Sequence, residues 1–292
     1  MAAFTIKPAA ATFGATIEGL DVRDLDDESE ATVLQVMDAY RVLVFRDQRL
    51  TPDDQKRFSE RFGPLVQVPY VKPLVDHPEV IAVLKEADEI NVSTFGSWWH
   101  SDFSYLEEPP TYSILHALEL PPVGGDTLFA DMIGACDALS PSLRDTLAGL
   151  KVMHSGHIYG AKLADTGDQG RMRSVEVATG DPDADVERAH PMLRYHEPTG
   201  RRALFANPTY TTRFAGMTPD ESKGLLDYLY AHATQPRFTW RQVWQPGDLV
   251  MWDNRAVLHL AVNDYDGYRR LLHRTTAGSE IPVGAPDQQG MA

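Results

Sequence analysis

The chain is poorest in cysteine. Its 292 residues hold one, Cys136, so no disulfide can form within the chain and a disulfide-stapled scaffold is excluded. Positive charge is also scarce. Lys and Arg number 27 against 42 Asp and Glu, a net charge of −15, which repels nucleic acid and anionic lipid. No window reaches the apolar length of a membrane span, and the start, Met1-Ala-Ala-Phe-Thr-Ile-Lys7, lacks the basic and apolar regions of a signal peptide. A soluble, cytoplasmic protein is expected. Internal repeats and low-complexity tracts are missing too. What remains is long enough for one sizeable core, and we expect residues 1–292 to form a single domain.

Segments dense in β-branched and aromatic residues, bounded by turn residues, read as strands at 15–22, 41–45, 80–84, 112–118, 127–131, 203–206, 248–252 and 270–276. Thr51-Pro52-Asp53-Asp54 and Thr218-Pro219-Asp220-Glu221 each open a helix, with a capping side chain and proline at the first position. A third helix starts after Ser140-Pro141 and ends near Gly149. Many short strands between turns predict an antiparallel barrel or jelly roll, with the helices packed on one outer face. Residues 156–189 are polar, glycine-containing and without periodicity, and read as a lid or an insertion.

Chemistry concentrates in three places. In Trp98-Trp99-His100-Ser101-Asp102-Phe103, His100 and Asp102 are two residues apart, so an extended backbone projects both to one side. His259 follows an apolar run through Trp252 and supplies a second imidazole. Two imidazoles and a carboxylate on one face of a metal form the facial triad of non-heme Fe(II) oxygenases. Those donors alone do not exclude zinc. His116, His154 and His273 compete for the third place, although His116 reads as a core residue and His273 neighbours arginines. A separate concentration is Arg269-Arg270-Leu271-Leu272-His273-Arg274, where Arg270 and Arg274 share a strand face with Leu272. Arginines turned inward need anions, and a guanidinium fork suits a carboxylate. Arg270 is therefore assigned a carboxylate, Arg274 a second anion, and Thr127, after Gly124-Gly125-Asp126, a helping hydroxyl.

Together these stretches resemble the taurine and 2,4-dichlorophenoxyacetate family of Fe(II)- and 2-oxoglutarate-dependent dioxygenases. The resemblance runs from Gly14–Gly19 through Phe58–Gly63, Trp99–Asp102, Gly124–Thr127 and His190-Pro191 to Trp252–Arg255, His259 and Arg269–Arg274. It implies a double-stranded β-helix core, mainly β with flanking helices. It implies Fe(II) on His100, Asp102 and His259, with 2-oxoglutarate held by Arg270 and Thr127. It implies that O2 is consumed, succinate and CO2 are released, and a C–H bond of a small organic anion is hydroxylated. Sulfonates, sulfate esters and aryloxyalkanoates are the anion types expected; an amino acid or biosynthetic intermediate is the alternative. Arg274 matches a position contacting the acidic group of the substrate, and Tyr70 a further contact. Where the family's taurine enzyme has a sulfonate-binding histidine, this chain has Val68, and Phe95-Gly96 replaces an asparagine expected near the amine. With Phe103, Tyr105 and the pair Trp98-Trp99, these departures predict a more apolar pocket than taurine needs. Dimers and tetramers are common in the family. A zinc hydrolase or a non-catalytic barrel would leave Arg270, Thr127 and Arg274 without a shared purpose. A halogenase would need a small residue in place of Asp102.

Overall fold

A computed structural model describes residues 4–10, 13–67, 71–159, 174–175 and 184–285. Its elements, in order, are β1 (Thr5–Pro8), β2 (Ala15–Glu18), α1 (Asp27–Tyr40), β3 (Val42–Phe45), α2 (Pro52–Glu60), β4 (Ile81–Lys85), β5 (Pro110–Glu119), β6 (Thr127–Asp131), α3 (Met132–Asp137), α4 (Pro141–Ala148), β7 (Lys151–His154), β8 (Arg188–Pro191), β9 (Leu193–His196), β10 (Arg201–Leu204), β11 (Thr211–Phe214), α5 (Pro219–Ala233), β12 (Thr239–Gln242), β13 (Leu249–Asp253), β14 (Val257–Ala261) and β15 (Arg270–Ser279). A seven-stranded sheet in the order β1-β2-β3-β13-β5-β15-β4 faces a three-stranded sheet β12-β6-β14. Two small sheets, β11-β7-β8 and β10-β9, extend the second layer. This is the jelly-roll core, antiparallel except where β2 runs beside β3.

The central strands of the large sheet are buried on both faces, which is why they read as continuous apolar runs. Alternation still sorts them. Leu43, Phe45, Ile114, Leu249 and Met251 face outward to Val33 and Met37 of α1 and Phe58 of α2. Val42, Val44, Leu115, Val250, Trp252 and Leu272 face inward to Phe129 and Val257 of the small sheet. The inward face is also the face of Ser113, two residues before Leu115.

The capping boxes of Thr51 and Thr218 form as their sequences require, and Ser140 caps α4. Three expectations need correction. The first strand ends at Glu18, because Gly19 takes a left-handed φ of 87° and residues Val22–Asp24 coil into a 3-10 turn. The helices do not share one outer face. Helices α1 and α2 cover the large sheet, while α3, α4 and α5 bury Ile133, Leu147, Leu226 and Leu229 in a separate core against β9, β10 and β11. Finally, the irregular stretch placed at 156–189 ends earlier, since Arg188–Pro191 is β8 and pairs with β7. Most of that stretch lies outside the described residues.

Candidate active site

The interior face of β14 carries Val257, His259 and Ala261, with His259 opposite Phe129 of β6. His100 is stitched to this strand. Its amide donates to the His259 carbonyl at 3.0 Å, and the His259 amide donates back at 2.8 Å. This one bridge brings the two rings to 4.0 Å between centroids, tilted by 44°. The Nδ1 of His100 lies 2.7 Å from the Trp98 carbonyl, which only a protonated Nδ1 can bond, so Nε2 is left as an acceptor. Asp102 then places Oδ1 3.6 Å from the Nε2 of His100 and 3.9 Å from that of His259. Ligand atoms of all three residues lie within 4.8 Å of one another, and all three side chains are buried. This is a donor set able to hold a metal ion.

Electrostatics prepare these groups. Burial alone would push the Asp102 carboxyl up, but Arg274, His259 and His100 together hold it well below the ordinary carboxylate range. Burial, and then the neighbouring His100, push His259 well below the ordinary histidine range. One carboxylate beside a neutral imidazole is the protonation state that metal binding requires. The Nδ1 of His259 is buried without a partner among the described residues.

Two guanidiniums flank the three residues. Arg270, Leu272 and Arg274 are all buried on one face of β15. Arg270 lies over the rings of Trp244 and Tyr265 at 5.7 and 5.9 Å, and its Nε and Nη2 have no partner among the described residues. Thr127 accepts from the Trp244 indole at 3.1 Å, so its own hydroxyl proton is available. Arg274 is clasped by Phe95 and Phe103 at 5.2 and 5.0 Å and donates Nη1 to Asp102 Oδ1 at 3.1 Å. Its Nε and Nη2 likewise have no partner among the described residues. A buried cation with idle donors is costly unless an anion completes it.

Two cavities meet at His100. One has an empty volume of about 430 Å³ and runs between His259, Thr127, Trp244, Arg270 and Arg274. The other, about 260 Å³, is aromatic, lined by Phe95, Trp98, Phe103, Tyr159 and Tyr210 beside Asp102. Phe103 holds a positive φ of 49°, a conformation unusual for a bulky residue, and this turns the chain sharply after Asp102.

Of the residues singled out from sequence, His100, Asp102, His259, Thr127, Arg270, Arg274 and Phe103 thus gather around one centre. Val68 and Tyr70 lie outside the described residues. The tryptophan pair divides: Trp98 lines the aromatic cavity, while Trp99 packs against the core beneath α3 and α5. His116 is spent on the Gln48 carbonyl and His154 on Ser104 and the Phe205 carbonyl. Sequence reasoning missed Trp244, Tyr265, Tyr159, Tyr210, Ser113 and Asn254. Only Asn254 carried a signal, its place in Trp252-Asp-Asn-Arg255; the others are isolated residues whose partners are distant in the chain.

The model of the family described as taurine catabolism dioxygenase TauD, TfdA matches residues 5–276. The α-ketoglutarate-dependent 2,4-dichlorophenoxyacetate dioxygenase of Cupriavidus pinatubonensis is 34% identical, covering 95% of this chain and 98% of its own. The α-ketoglutarate-dependent sulfate ester dioxygenase of Pseudomonas putida is 32% identical, covering 97% of this chain and 92% of its own. The crystal structure of a taurine dioxygenase from Burkholderia xenovorans superposes with a TM-score of 0.80 at 32% identity, over 98% of this chain and 94% of that one. Among the described residues no helix is long and apolar enough to cross a membrane. The chain therefore belongs to the TauD/TfdA family and is an Fe(II)- and 2-oxoglutarate-dependent dioxygenase.

Proposed function

We propose that His100, Asp102 and His259 hold Fe(II) through two imidazole Nε2 atoms and one carboxylate oxygen. In this reading Arg270 and Thr127 hold the distal carboxylate of 2-oxoglutarate, and Arg274 holds the acidic group of a small organic anion. The substrate is of the sulfonate, sulfate ester or aryloxyalkanoate type. The observation that carries the reading is the pair of buried guanidiniums on the β15 face beside the three clustered ligands, whose Nε and Nη2 donors meet no partner among the described residues.

The residues fit the groups they would hold. Imidazole and carboxylate donors with an open side suit ferrous iron. A guanidinium backed by two aromatic faces, beside a hydroxyl with a free proton, suits a carboxylate. Bound iron, with 2-oxoglutarate and O2, supplies the oxidation: one oxygen atom enters succinate as CO2 leaves, and the other enters a substrate C–H bond. The protein's own work is binding, orientation and exclusion of water. Arg270 fixes one end of the keto acid, while Trp244 supports both that cation and the Thr127 hydroxyl. Arg274 fixes the anionic end of the substrate, and the rings of Phe95, Trp98, Phe103, Tyr159 and Tyr210 form an apolar wall for its body. Where the hydroxylated carbon bears a heteroatom, the product collapses to a carbonyl compound and a protonated leaving group. No side chain is required as a general base.

Residues 1–292 form one catalytic domain in this reading, and the activity is placed in the cytoplasm, where the free, buried Cys136 stays reduced. Assembly follows the family's dimers or tetramers. The test is a panel of aryloxyalkanoates, sulfonates and sulfate esters incubated with Fe(II) and 2-oxoglutarate. We expect at least one to drive succinate formation well above the substrate-free rate and to shift the visible absorption of the anaerobic Fe(II)–2-oxoglutarate complex. A panel in which no anion does either would overturn the substrate class.

A further inference from the structure

The two oxygens of Asp102 have different neighbours. Oδ1 faces both histidine Nε2 atoms and Arg274. Oδ2 accepts a 2.6 Å bond from the Ser113 hydroxyl. Ser113 is fully buried in the middle of β5, opposite Trp252 of β13 and Thr276 of β15, so its position is fixed by the sheet. Its oxygen accepts in turn from Asn254 Nδ2 at 2.9 Å. Asn254 Oδ1 accepts from the Trp252 indole at 3.0 Å and from the Asp102 amide at 3.3 Å. The Asn254 carbonyl accepts from Ser101 Oγ at 2.8 Å. Asn254 thus grips the chain at Ser101 and at the Asp102 amide, and Ser113 grips the carboxylate itself.

The hydroxyl has one proton, and its direction is decided. Asn254 donates to Ser113 Oγ, so the serine proton is left for Asp102. The resulting charge-assisted bond ties Oδ2 away from the histidines. A carboxylate without such a tie can rotate about its last bond and present both oxygens to a cation.

We propose that Ser113, aligned by Asn254, is a positioning residue that restricts Asp102 to one-oxygen coordination and so preserves an open position for the co-substrate. The inference rests on the three-ligand reading above and adds a residue that the triad does not contain.

The test uses full-length protein loaded with Mn(II), with affinity and water proton relaxation measured in wild type, Ser113→Ala and His100→Ala. In an octahedral sphere three protein donor atoms leave three waters and four leave two, so Ser113→Ala should lose about one third of the inner-sphere relaxation. Its Mn(II) affinity should fall about 10- to 100-fold, as for other residues that orient a metal ligand. Wild-type affinity and relaxation in Ser113→Ala would overturn the assignment of Ser113. Wild-type binding in His100→Ala would overturn the triad itself, a separate outcome. Should Ser113→Ala not fold, Ser113→Cys keeps the side-chain shape with a weak donor and carries the same comparison.

Discussion

Replacing Arg270 with leucine should move stability and co-substrate binding in opposite directions. Arg270 is 3% exposed, and two of its donors have no partner among the described residues. Each unsatisfied buried donor costs about 1–3 kcal/mol. Stacking on Trp244 and Tyr265 returns about 0.5–2 kcal/mol per ring. Leucine removes both contributions, and the balance predicts a gain of roughly 1–2 kcal/mol in ligand-free protein. For a chain of 292 residues that raises Tm by roughly 2–3 °C. The same change deletes the proposed clamp. Truncating one partner of a buried charged pair costs about 2–5 kcal/mol, or roughly 30- to several-thousand-fold in affinity. Mn(II)-loaded protein should therefore be followed by thermal unfolding against 2-oxoglutarate concentration. At 100 times its Kd, a ligand stabilises by about 2.7 kcal/mol, so wild type shifts clearly and Arg270→Leu does not. A variant that melts below wild type yet keeps the full 2-oxoglutarate shift would refute the reasoning on both counts.

Two further outcomes separate the remaining roles. Arg274→Met should raise KM for the prime substrate at least about 30-fold, by the same clamp arithmetic, while KM for 2-oxoglutarate changes little; steady-state kinetics on each reactant would expose a reversal. Acid should weaken the fold through two buried histidines. Burial pushes His154 down to about 3 and His190 down to about 4. A histidine whose folded value is depressed is protonated more readily in the unfolded chain, so stability is complete above about pH 6.5 and falls as pH drops toward 4. At pH 5 each imidazole costs on the order of 2 kcal/mol, and urea midpoints measured from pH 7 to 5 should fall less in His154→Gln than in wild type. Parallel pH slopes in the two proteins would remove His154 from the account.

How much of this was readable in the sequence depended on period. His100 and Asp102, or Arg270 and Arg274, share a face because strand geometry repeats every two residues, and the sequence states that spacing directly. The capped helices were readable for the same local reason. Helix α1 was not, because its buried residues Val33, Val36 and Met37 are embedded in an acidic, exposed surface whose stripe is weak. Strand β14 carries His259 but had no bounds in the sequence, because Asp253-Asn254-Arg255 turns the chain after Trp252 and the run that follows is only Val257–Ala261. The polar network of His154, Ser104 and Asn207 was hidden for another reason: its members are separated by about fifty residues or more and only packing unites them.

The division of labour in the fold follows from where rigidity lies. Arg270 and Arg274 are four residues apart on one strand, so their Cα atoms are held at roughly 13 Å by strand pitch alone. Ser113 on β5 and His259 on β14 are fixed by ladders of the same kind. The groups proposed to set the chemistry thus sit largely on sheet, and their separations cannot drift with the substrate. The walls of the aromatic cavity come instead from connecting segments: Phe95 and Trp98 before His100, Phe103 after Asp102, Tyr159 after β7 and Tyr210 before β11. Loop residues tolerate change without disturbing a scaffold. Substitutions at Phe95 or Tyr210 should therefore redistribute kcat/KM among anions of different shape while leaving 2-oxoglutarate affinity in place.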